Sequence, residues 1–208
     1  MKIVVADDHQ IIRRGLQLIV SRQPGWSVAA EAGDAGELFE VLRREPYDVL
    51  VLDLHLREAS ALELLPELRR DHPALPVLIL SSEPEQHYAI AALRAGARGF
   101  IQKDATADEI IDAIERVASG RTRFSERIGE QMANELASGH AGPPHERLSP
   151  RELDVFLRLA RGETVGDIAA ALGVSIKTVS TYRTRILEKT GFRSNADIVA
   201  YAVRARMA

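Results

Sequence analysis

The sequence predicts an α/β domain with a doubly wound, five-stranded parallel sheet, followed by a small all-α domain of four helices. Up to about residue 120, short runs rich in Val, Ile and Leu alternate five times with amphipathic stretches, which is typical of a parallel sheet covered by helices. Gly and Pro then cluster within residues 138–145 and indicate a linker. Four short segments with clear helix-capping residues follow.

The first half of the chain is predicted to alternate strand and helix. The predicted strands are 2–6, 26–31, 48–52, 76–80 and 98–101, and the predicted helices are 9–22, 34–44, 58–71, 84–95 and 106–119. Asp34 and Thr106 are suitable N-caps, and Gly96 and Gly120 are suitable helix ends. The short connections imply right-handed crossovers with helices on both faces of the sheet.

The second half is predicted to contain a helix-turn-helix. A modest helix is expected at 125–137, and the domains are expected to be 1–120 and 147–208, joined by a linker at 121–146. The four later helices have predicted caps at Ser149 with Glu152, at Thr164 with Asp167, at Ser175, and at Ser194 with Asp197. A tight turn at 172–174 joins the second and third of these helices, as in a helix-turn-helix.

The composition limits the classes of protein that remain. The chain has 208 residues, 46% of them hydrophobic and 27% charged, and no cysteine, which favours a soluble cytoplasmic protein and excludes disulfides and thiolate metal sites. No apolar run is long enough to cross a membrane. Residues 1–145 carry 16 Lys and Arg against 23 Asp and Glu, whereas residues 146–208 carry 11 against 7. A basic tail on an acidic body suggests that the tail alone contacts a polyanion.

Three carboxylates follow two of the predicted strands. Asp7 and Asp8 close the first strand, and Asp53 closes the third. In parallel sheets, ligands bind beyond the carboxyl ends of the strands, and close like charges are costly unless a cation neutralises them. The sequence therefore predicts a Mg²⁺ site, since Mg²⁺ typically takes one or two carboxylates together with phosphate oxygens. For any one of these residues alone, helix capping or a loop start would explain it as well.

Two further polar residues belong to the same edge of the sheet. Ser81 ends the fourth predicted strand and Lys103 the fifth. An ammonium and a hydroxyl there would contact phosphoryl oxygens, and Asp53 could act as a carboxylate nucleophile that forms an aspartyl phosphate.

The third helix of the second half has two predicted faces. Ile176, Val179, Ile186 and Leu187 follow helical spacing and are expected to face the core. The opposite face is expected to enter the major groove of DNA. Its predicted DNA-binding residues are Lys177, Thr178, Ser180, Thr181, Arg183, Thr184, Arg185 and Lys189. Among these, Lys177, Arg185 and Lys189 suit phosphates. An ordinary solvated polar face remains the alternative.

With these residues in view, residues 1–120 resemble a receiver domain of a two-component response regulator, which has a flavodoxin-like fold. The resemblance implies that Asp53 is the phosphoacceptor and that a sensor histidine kinase is the donor. It further implies that Mg²⁺ is held by Asp7, Asp8 and Asp53 with the backbone carbonyl of His55. Ser81 and Phe100 would form a switch pair, in which the hydroxyl moves toward the phosphoryl group and the aromatic ring turns inward.

Residues 147–208 resemble the LuxR-type helix-turn-helix of the NarL/FixJ family, and the third helix is most similar to regulators of the BvgA and GacA type. The expected function is therefore phosphorylation-controlled, sequence-specific regulation of transcription. So small a domain makes few base contacts, so a homodimer on paired promoter half-sites is expected after phosphorylation.

The sequence departs from the receiver pattern beside the site. Leu56-Arg57 stands where Met-Pro is common, Ala61 where Gly is common, and Asp104 follows Lys103 where Pro is common. His55 and Glu83 occupy the variable positions that tune the lifetime of the phosphoryl group in this family, so an altered lifetime is expected.

Two other functions remain open from the sequence. One is a constitutive DNA-binding regulator whose receiver is insensitive to phosphate and serves protein interaction. The other is a phosphohydrolase. A phosphohydrolase of this kind would need a second carboxylic acid two residues beyond the nucleophile to protonate the leaving group, and His55 stands there instead. The protein is therefore not expected to be an enzyme.

Overall fold

The computed structural model describes residues 1–57, 59–130, 133, 143–205 and 207. The chain divides into two compact units, Met1–Glu130 and Gln131–Ala208. The predicted helix 125–137 and the predicted linker are described only in part. Residues 126–130 are helical, whereas residues 131–132 and 134–142 lie outside the described residues.

The first unit is built on a five-stranded parallel sheet within the described residues. Its strands are β1 (Lys2–Ala6), β2 (Ser27–Ala32), β3 (Val49–Asp53), β6 (Val77–Ser81) and β7 (Gly99–Gln102). Across the sheet they lie in the order β2-β1-β3-β6-β7. Two further strands of two residues each, β4 (His55–Leu56) and β5 (Ala59–Ser60), pair antiparallel. The predicted five-stranded parallel sheet is confirmed, with four of the strands displaced by about one residue.

Helices cover both faces of this sheet. They are α1 (Gln10–Val20), α2 (Ala35–Leu42), α3 (Ala61–Asp71), α4 (Glu85–Ala95) and α5 (Ala107–Ala118). One core joins α1 and α5 to alternate strand residues, among them Ile3, Val51 and Leu80. The intervening strand residues, such as Leu52 and Ile79, are fully buried on the other face, because successive strand side chains point in opposite directions.

The predicted helix caps of the first unit are present. The Asp34 carboxylate accepts a hydrogen bond from the backbone N–H of Glu37, and Thr106 forms a capping box with Glu109. Gly96 ends α4 with a left-handed φ of 117°, a conformation that residues with a Cβ seldom adopt. These ends depend on local chemistry, which explains why the sequence alone predicted them.

The start of the third helix was predicted wrongly. The helix was expected from residue 58, but α3 begins at Ala61, after the short β4–β5 hairpin. Arg57 lies at the turn of this hairpin with a positive φ of 49°. Proline, which is common at this position of the receiver pattern, could not adopt such a φ. Hairpin pairing is a contact between segments, so helical periodicity did not indicate it.

The second unit consists of short helices after a 3-10 turn at Pro144–Arg147. They are α6 (Pro150–Ala160), α7 (Val165–Ala171), α8 (Ile176–Thr190) and α9 (Asn195–Arg204). All four predicted N-caps are confirmed, and Gly191 ends α8 in the left-handed conformation. No helix in the described part of the chain is long and apolar enough to cross a bilayer.

One predicted core residue of α8 faces solvent instead. Val179 and Ile186 are fully buried, whereas Ile176 is 62% exposed, and Leu187 is only half-buried. At about 100° per residue, Ile176 and Leu187 lie on the same side of the stripe that Val179 and Ile186 define, roughly 60–100° away from it. The buried stripe is therefore narrower than the hydrophobic pattern indicated.

Candidate functional site

The parallel sheet brings together side chains that are distant in sequence. Asp53 and Ser81 are the last residues of β3 and β6, Asp7 directly follows β1, and Lys103 directly follows β7. The backbone N–H of Lys103 donates to the carbonyl of Ser81 at 2.8 Å. These residues share the edge formed by the carboxyl ends of the strands, where α/β sheets bind ligands.

Lys103 links two of the three predicted carboxylates. Its Nζ lies 2.7 Å from Asp7 Oδ2 and 2.9 Å from Asp53 Oδ2. Asp7 is fully buried and the Asp53 side chain is 5% exposed. One ammonium group thus compensates two carboxylates that would otherwise repel each other in a region of low dielectric.

The environment shifts the pKa values of both partners. Burial, together with the neighbouring negative charge of Asp7, raises the pKa of Asp53 despite its bonds to Lys103 and to the backbone of His55. Burial alone would lower the pKa of Lys103, but its hydrogen bonds and ion pairs with Asp7 and Asp53 outweigh this and raise it. The lysine therefore stays charged at neutral pH.

The acidic residues fit a divalent cation. Ligand atoms of Asp7, Asp8, His9 and Asp53 all lie within 4.8 Å of one another. Oδ1 of Asp8 is buried and accepts no aligned hydrogen bond from any described residue; its one close contact is His9 Nδ1 at 2.6 Å, although buried carboxylate oxygens normally have a donor. A hard cation with oxygen ligands would satisfy this atom.

The predicted switch residues lie on adjacent strands. Ser81 is buried, and its Oγ accepts a hydrogen bond from the backbone N–H of Glu83 at 2.9 Å. Phe100 is only 1% exposed, and its N–H donates to the carbonyl of Arg123. Ser81 is paired with Gln102 in the ladder, two residues beyond Phe100. The hydroxyl and the ring thus belong to neighbouring strands, with the ring already buried.

His55, predicted to contribute its carbonyl, begins the short strand β4. Its ring is in edge contact with Tyr88 of α4, with the ring centroids 5.9 Å apart. Tyr88 is itself buried. The His55 side chain therefore ties the loop after Asp53 to α4.

Two residues that contact the acidic cluster were not predicted from the sequence. His9 directly follows Asp8, and its ring lies against both aspartates. Arg13, one turn into α1, donates to the backbone carbonyl of Asp7 at 2.5 Å and pairs with Glu31. The position of His9 beside two aspartates is a signal that could have been recognised from metal-ligand chemistry, whereas the reach of Arg13 depends on the fold.

The predicted DNA-binding residues of α8 differ in their surroundings. Lys177, Ser180, Thr181, Thr184 and Arg185 are exposed, whereas Thr178 and Arg183 are half-buried. Nε of Arg183 donates to Oδ1 of Asn195 at 2.6 Å. This bond orients Arg183 at the edge of the face, and the exposed residues form the centre of the face.

Lys189 has a structural partner within the unit. Its Nζ lies 2.6 Å from Oε2 of Glu152, a capping-box residue of α6 that is only 2% exposed. Lys189 and the cap at Ser149 hold the pKa of Glu152 below its usual value, against the opposing effect of burial. The pair joins the end of α8 to the start of α6.

Comparison with known proteins identifies both units. The family model "Response regulator receiver domain" matches residues 3–115, and the model "Bacterial regulatory proteins, luxR family" matches residues 146–202. The chain belongs to the response regulators. This response regulator has a receiver domain and a LuxR-type DNA-binding domain, so the predicted family and fold are confirmed.

Similar proteins match along nearly the whole length. The oxygen regulatory protein NreC of Staphylococcus haemolyticus is 32% identical over 214 residues, which cover 100% of this chain and 99% of the relative. The nitrate/nitrite response regulator protein NarP of Escherichia coli is 34% identical over 193 residues, which cover 93% and 90%. A solved structure of the Salmonella typhimurium RcsB response regulator, described for its conformational dynamism in DNA interaction, has a TM-score of 0.65 at 25% identity and covers 97% and 96%.

Proposed function

We propose that Asp53 accepts a phosphoryl group from a sensor histidine kinase and that this modification controls DNA binding by the LuxR-type domain. The observation that carries the proposal is Nζ of Lys103 between Asp7 and Asp53, at 2.7 and 2.9 Å. A nearby cation neutralises charge on a transferring phosphoryl group. We assign residues 1–120 to the receiver, 121–146 to the linker and 147–208 to the DNA-binding domain.

The transfer needs Asp53 as a carboxylate nucleophile. One Asp53 oxygen forms a bond to phosphorus while the bond from phosphorus to the kinase histidine nitrogen breaks, and that nitrogen keeps the bonding electron pair. Lys103 then pairs a phosphoryl oxygen, and Ser81 turns its hydroxyl from the Glu83 N–H toward another. Phe100 fills the space behind Ser81. The protein is a regulator that promotes its own modification and is not otherwise an enzyme.

Asp7, Asp8 and Asp53, with the carbonyl of His55, would hold Mg²⁺. Bound Mg²⁺ neutralises negative charge on the phosphoryl oxygens. Asp7 would then contact the ion in place of Lys103. The ammonium group of Lys103 would thus be free to pair with a phosphoryl oxygen.

The exposed face of α8 would read DNA. Ser180, Thr181 and Thr184 supply hydroxyls, of which Thr181 and Thr184 donate to backbone carbonyls four residues earlier and can still accept from base amino groups. Lys177 and Arg185 are exposed and suit phosphates. Lys189 can reach phosphate only by leaving Glu152, so we expect it to contribute least. A phosphorylated homodimer on promoter half-sites in the cytoplasm fits this arrangement.

Phosphate incorporation tests the receiver. The full chain is incubated with Mg²⁺ and acetyl phosphate, and the mass increase of one phosphoryl group is followed by intact-protein mass spectrometry. Wild type and Asp112→Asn, which removes an exposed carboxylate on α5, should incorporate phosphate. Asp53→Asn should not. Incorporation by Asp53→Asn at the wild-type rate would exclude Asp53 as the acceptor.

DNA affinity and solution mass test the output. Phosphorylated wild type should dimerise and bind promoter DNA more tightly than the unphosphorylated protein. Because each phosphate contact releases counter-ions, Lys177→Ala should lower the slope of log affinity against log salt by about 1. Equal affinity with and without phosphate would favour the constitutive regulator instead.

A further inference from the structure

His9 lies beside the acidic pair in a position that helix capping does not explain. It is the N-cap residue of α1, yet its side chain makes no capping hydrogen bond. Its Nδ1 lies 2.6 Å from Asp8 Oδ1 and 3.2 Å from Asp7 Oδ1. The side chain is 63% exposed, so the imidazole contacts the carboxylates from the solvent side of the pocket.

The spacing of these atoms suits one shared ion. Neighbouring ligands on a cation with metal–ligand distances of about 2.0–2.2 Å lie roughly 3 Å apart. The separation between His9 Nδ1 and Asp8 Oδ1 is within a few tenths of an ångström of this. The contact between His9 Nδ1 and Asp8 Oδ1 is short enough for an ion pair but is not aligned as a hydrogen bond, so both atoms can face one shared cation.

We propose that Nδ1 of His9 is a nitrogen ligand of the divalent cation in this site. The inference rests on the proposed metal site and adds to it a ligand of a different kind. Carboxylate and carbonyl oxygens suit Mg²⁺ and Mn²⁺, whereas imidazole suits ions such as Ni²⁺ and Zn²⁺. The site should therefore bind Ni²⁺ more tightly than its carboxylates alone would, while Mg²⁺ depends little on His9.

The alternative is an ordinary hydrogen bond. Nδ1 of His9 also lies at hydrogen-bonding geometry to Asp7 Oδ1, and if Nδ1 carries the proton it cannot bind a metal. The two arrangements differ in whether a nitrogen atom is bound to the cation, which spectroscopy detects directly.

Pulsed electron paramagnetic resonance of the full chain loaded with Cu²⁺, a paramagnetic ion that imidazole suits, is the first test. Wild type and His72→Ala should show coupling of Cu²⁺ to an imidazole ¹⁴N nucleus, and His9→Ala should lack it. His72 follows the last residue of α3 and lies outside the cluster, so it controls for binding to surface histidines. No nitrogen coupling in wild type, or the same coupling in His9→Ala, overturns the inference.

Calorimetric titration separates this inference from the metal site itself. His9→Ala should weaken Ni²⁺ binding about 10-fold and Mg²⁺ binding less than about 2-fold, a difference of roughly 1 kcal/mol between the ions. His9→Asn, which restores a favourable N-cap, should weaken Ni²⁺ binding as much as His9→Ala does, because both variants lack the imidazole nitrogen. If His9→Ala weakens Ni²⁺ and Mg²⁺ binding equally, the proposed role of His9 is overturned but the metal site is not. If wild type binds Mg²⁺ no better than Asp8→Asn does, the metal site fails, and this inference fails with it.

Discussion

The ionised form of Asp53 lowers the stability of the folded protein when no cation is bound beside it. Burial is the main reason that its pKa is raised, and Asp7 adds to the effect. A raised pKa means that the ionised carboxylate is less stable in the folded protein than in the unfolded chain. Ionisation of Asp53, the proposed phosphoacceptor, is therefore opposed by its surroundings in the fold.

We predict that Asp53→Asn is more stable than wild type at pH 7 without metal, by about 1 kcal/mol. The amide keeps the volume but cannot ionise. A raised acid pKa contributes stability below the unfolded pKa of about 3.9 and loses it as the pH rises through the folded pKa, so the advantage should shrink as the pH falls toward 4. Urea denaturation at both pH values measures it, and an advantage that persists in acid contradicts the explanation.

Lys189 is predicted to stabilise the second unit. Lys189→Ala leaves the buried carboxylate of Glu152 with the hydrogen bonds that it accepts from the backbone N–H and the side chain of Ser149. Since Lys189 is 43% exposed, solvent screening limits the loss to about 1 kcal/mol. Because the pKa of Glu152 is lowered, the contribution is present above its unfolded pKa and disappears in acid.

Lys177→Ala is the matched control for this prediction, since Lys177 is an exposed lysine of the same helix. It should change the free energy of unfolding by less than about 0.5 kcal/mol. Denaturation of both full-length variants at pH 7 gives the comparison, and similar values for the two would show that the Lys189–Glu152 pair contributes nothing.

At the scale of single elements, helix ends and helix interiors respond oppositely to the same change. Gly191 ends α8 with a φ of 75°, whereas Gly15 lies inside α1 with no atom within 4 Å of an added Cβ. We predict that Gly191→Ala destabilises by about 1 kcal/mol and that Gly15→Ala stabilises by about 0.5–1 kcal/mol. Thermal denaturation of the two variants checks the signs, and the same sign for both would contradict the argument.

Elements governed by local chemistry were predictable from the sequence. The capping pairs at Thr164 and Ser194, for example, act over three residues and fall where the sequence placed them. Contacts between segments were not predictable in this way. The pairing of Lys189 with Glu152 joins residues 37 apart, and the exposure of Ile176 depends on which side of α8 packs against other helices. The β4–β5 hairpin is local, but it stands where helical periodicity indicated the start of α3.

The acidic site was predictable for a different reason. Parallel strands place their carboxyl ends at one edge, so the positions of Asp7, Asp53 and Lys103 at strand ends implied their proximity. His9 was missed because it was assigned to the start of the predicted helix 9–22, although its place beside two aspartates is also a metal-ligand pattern.

At the scale of the whole molecule, metal binding should act on one unit only. The cluster of Asp7, Asp8 and Asp53 belongs entirely to Met1–Glu130. We predict that Mg²⁺ at ten times its dissociation constant stabilises this unit by about 1.4 kcal/mol and leaves Gln131–Ala208 unchanged. Hydrogen exchange resolved by peptide measures both units in one sample. Asp8→Asn should abolish the effect, and protection that rises equally in both units would contradict the prediction.

The ion pairs of Lys103 with Asp7 and Asp53 have a consequence for the folding of a newly synthesised chain. Because the chain carries its own counter-ion, Lys103, between Asp7 and Asp53, the acidic pocket can form as the protein folds, at any concentration of magnesium in the cell. Formation of the pocket therefore does not require magnesium, and the proposed metal ion would bind side chains that the fold has already brought together.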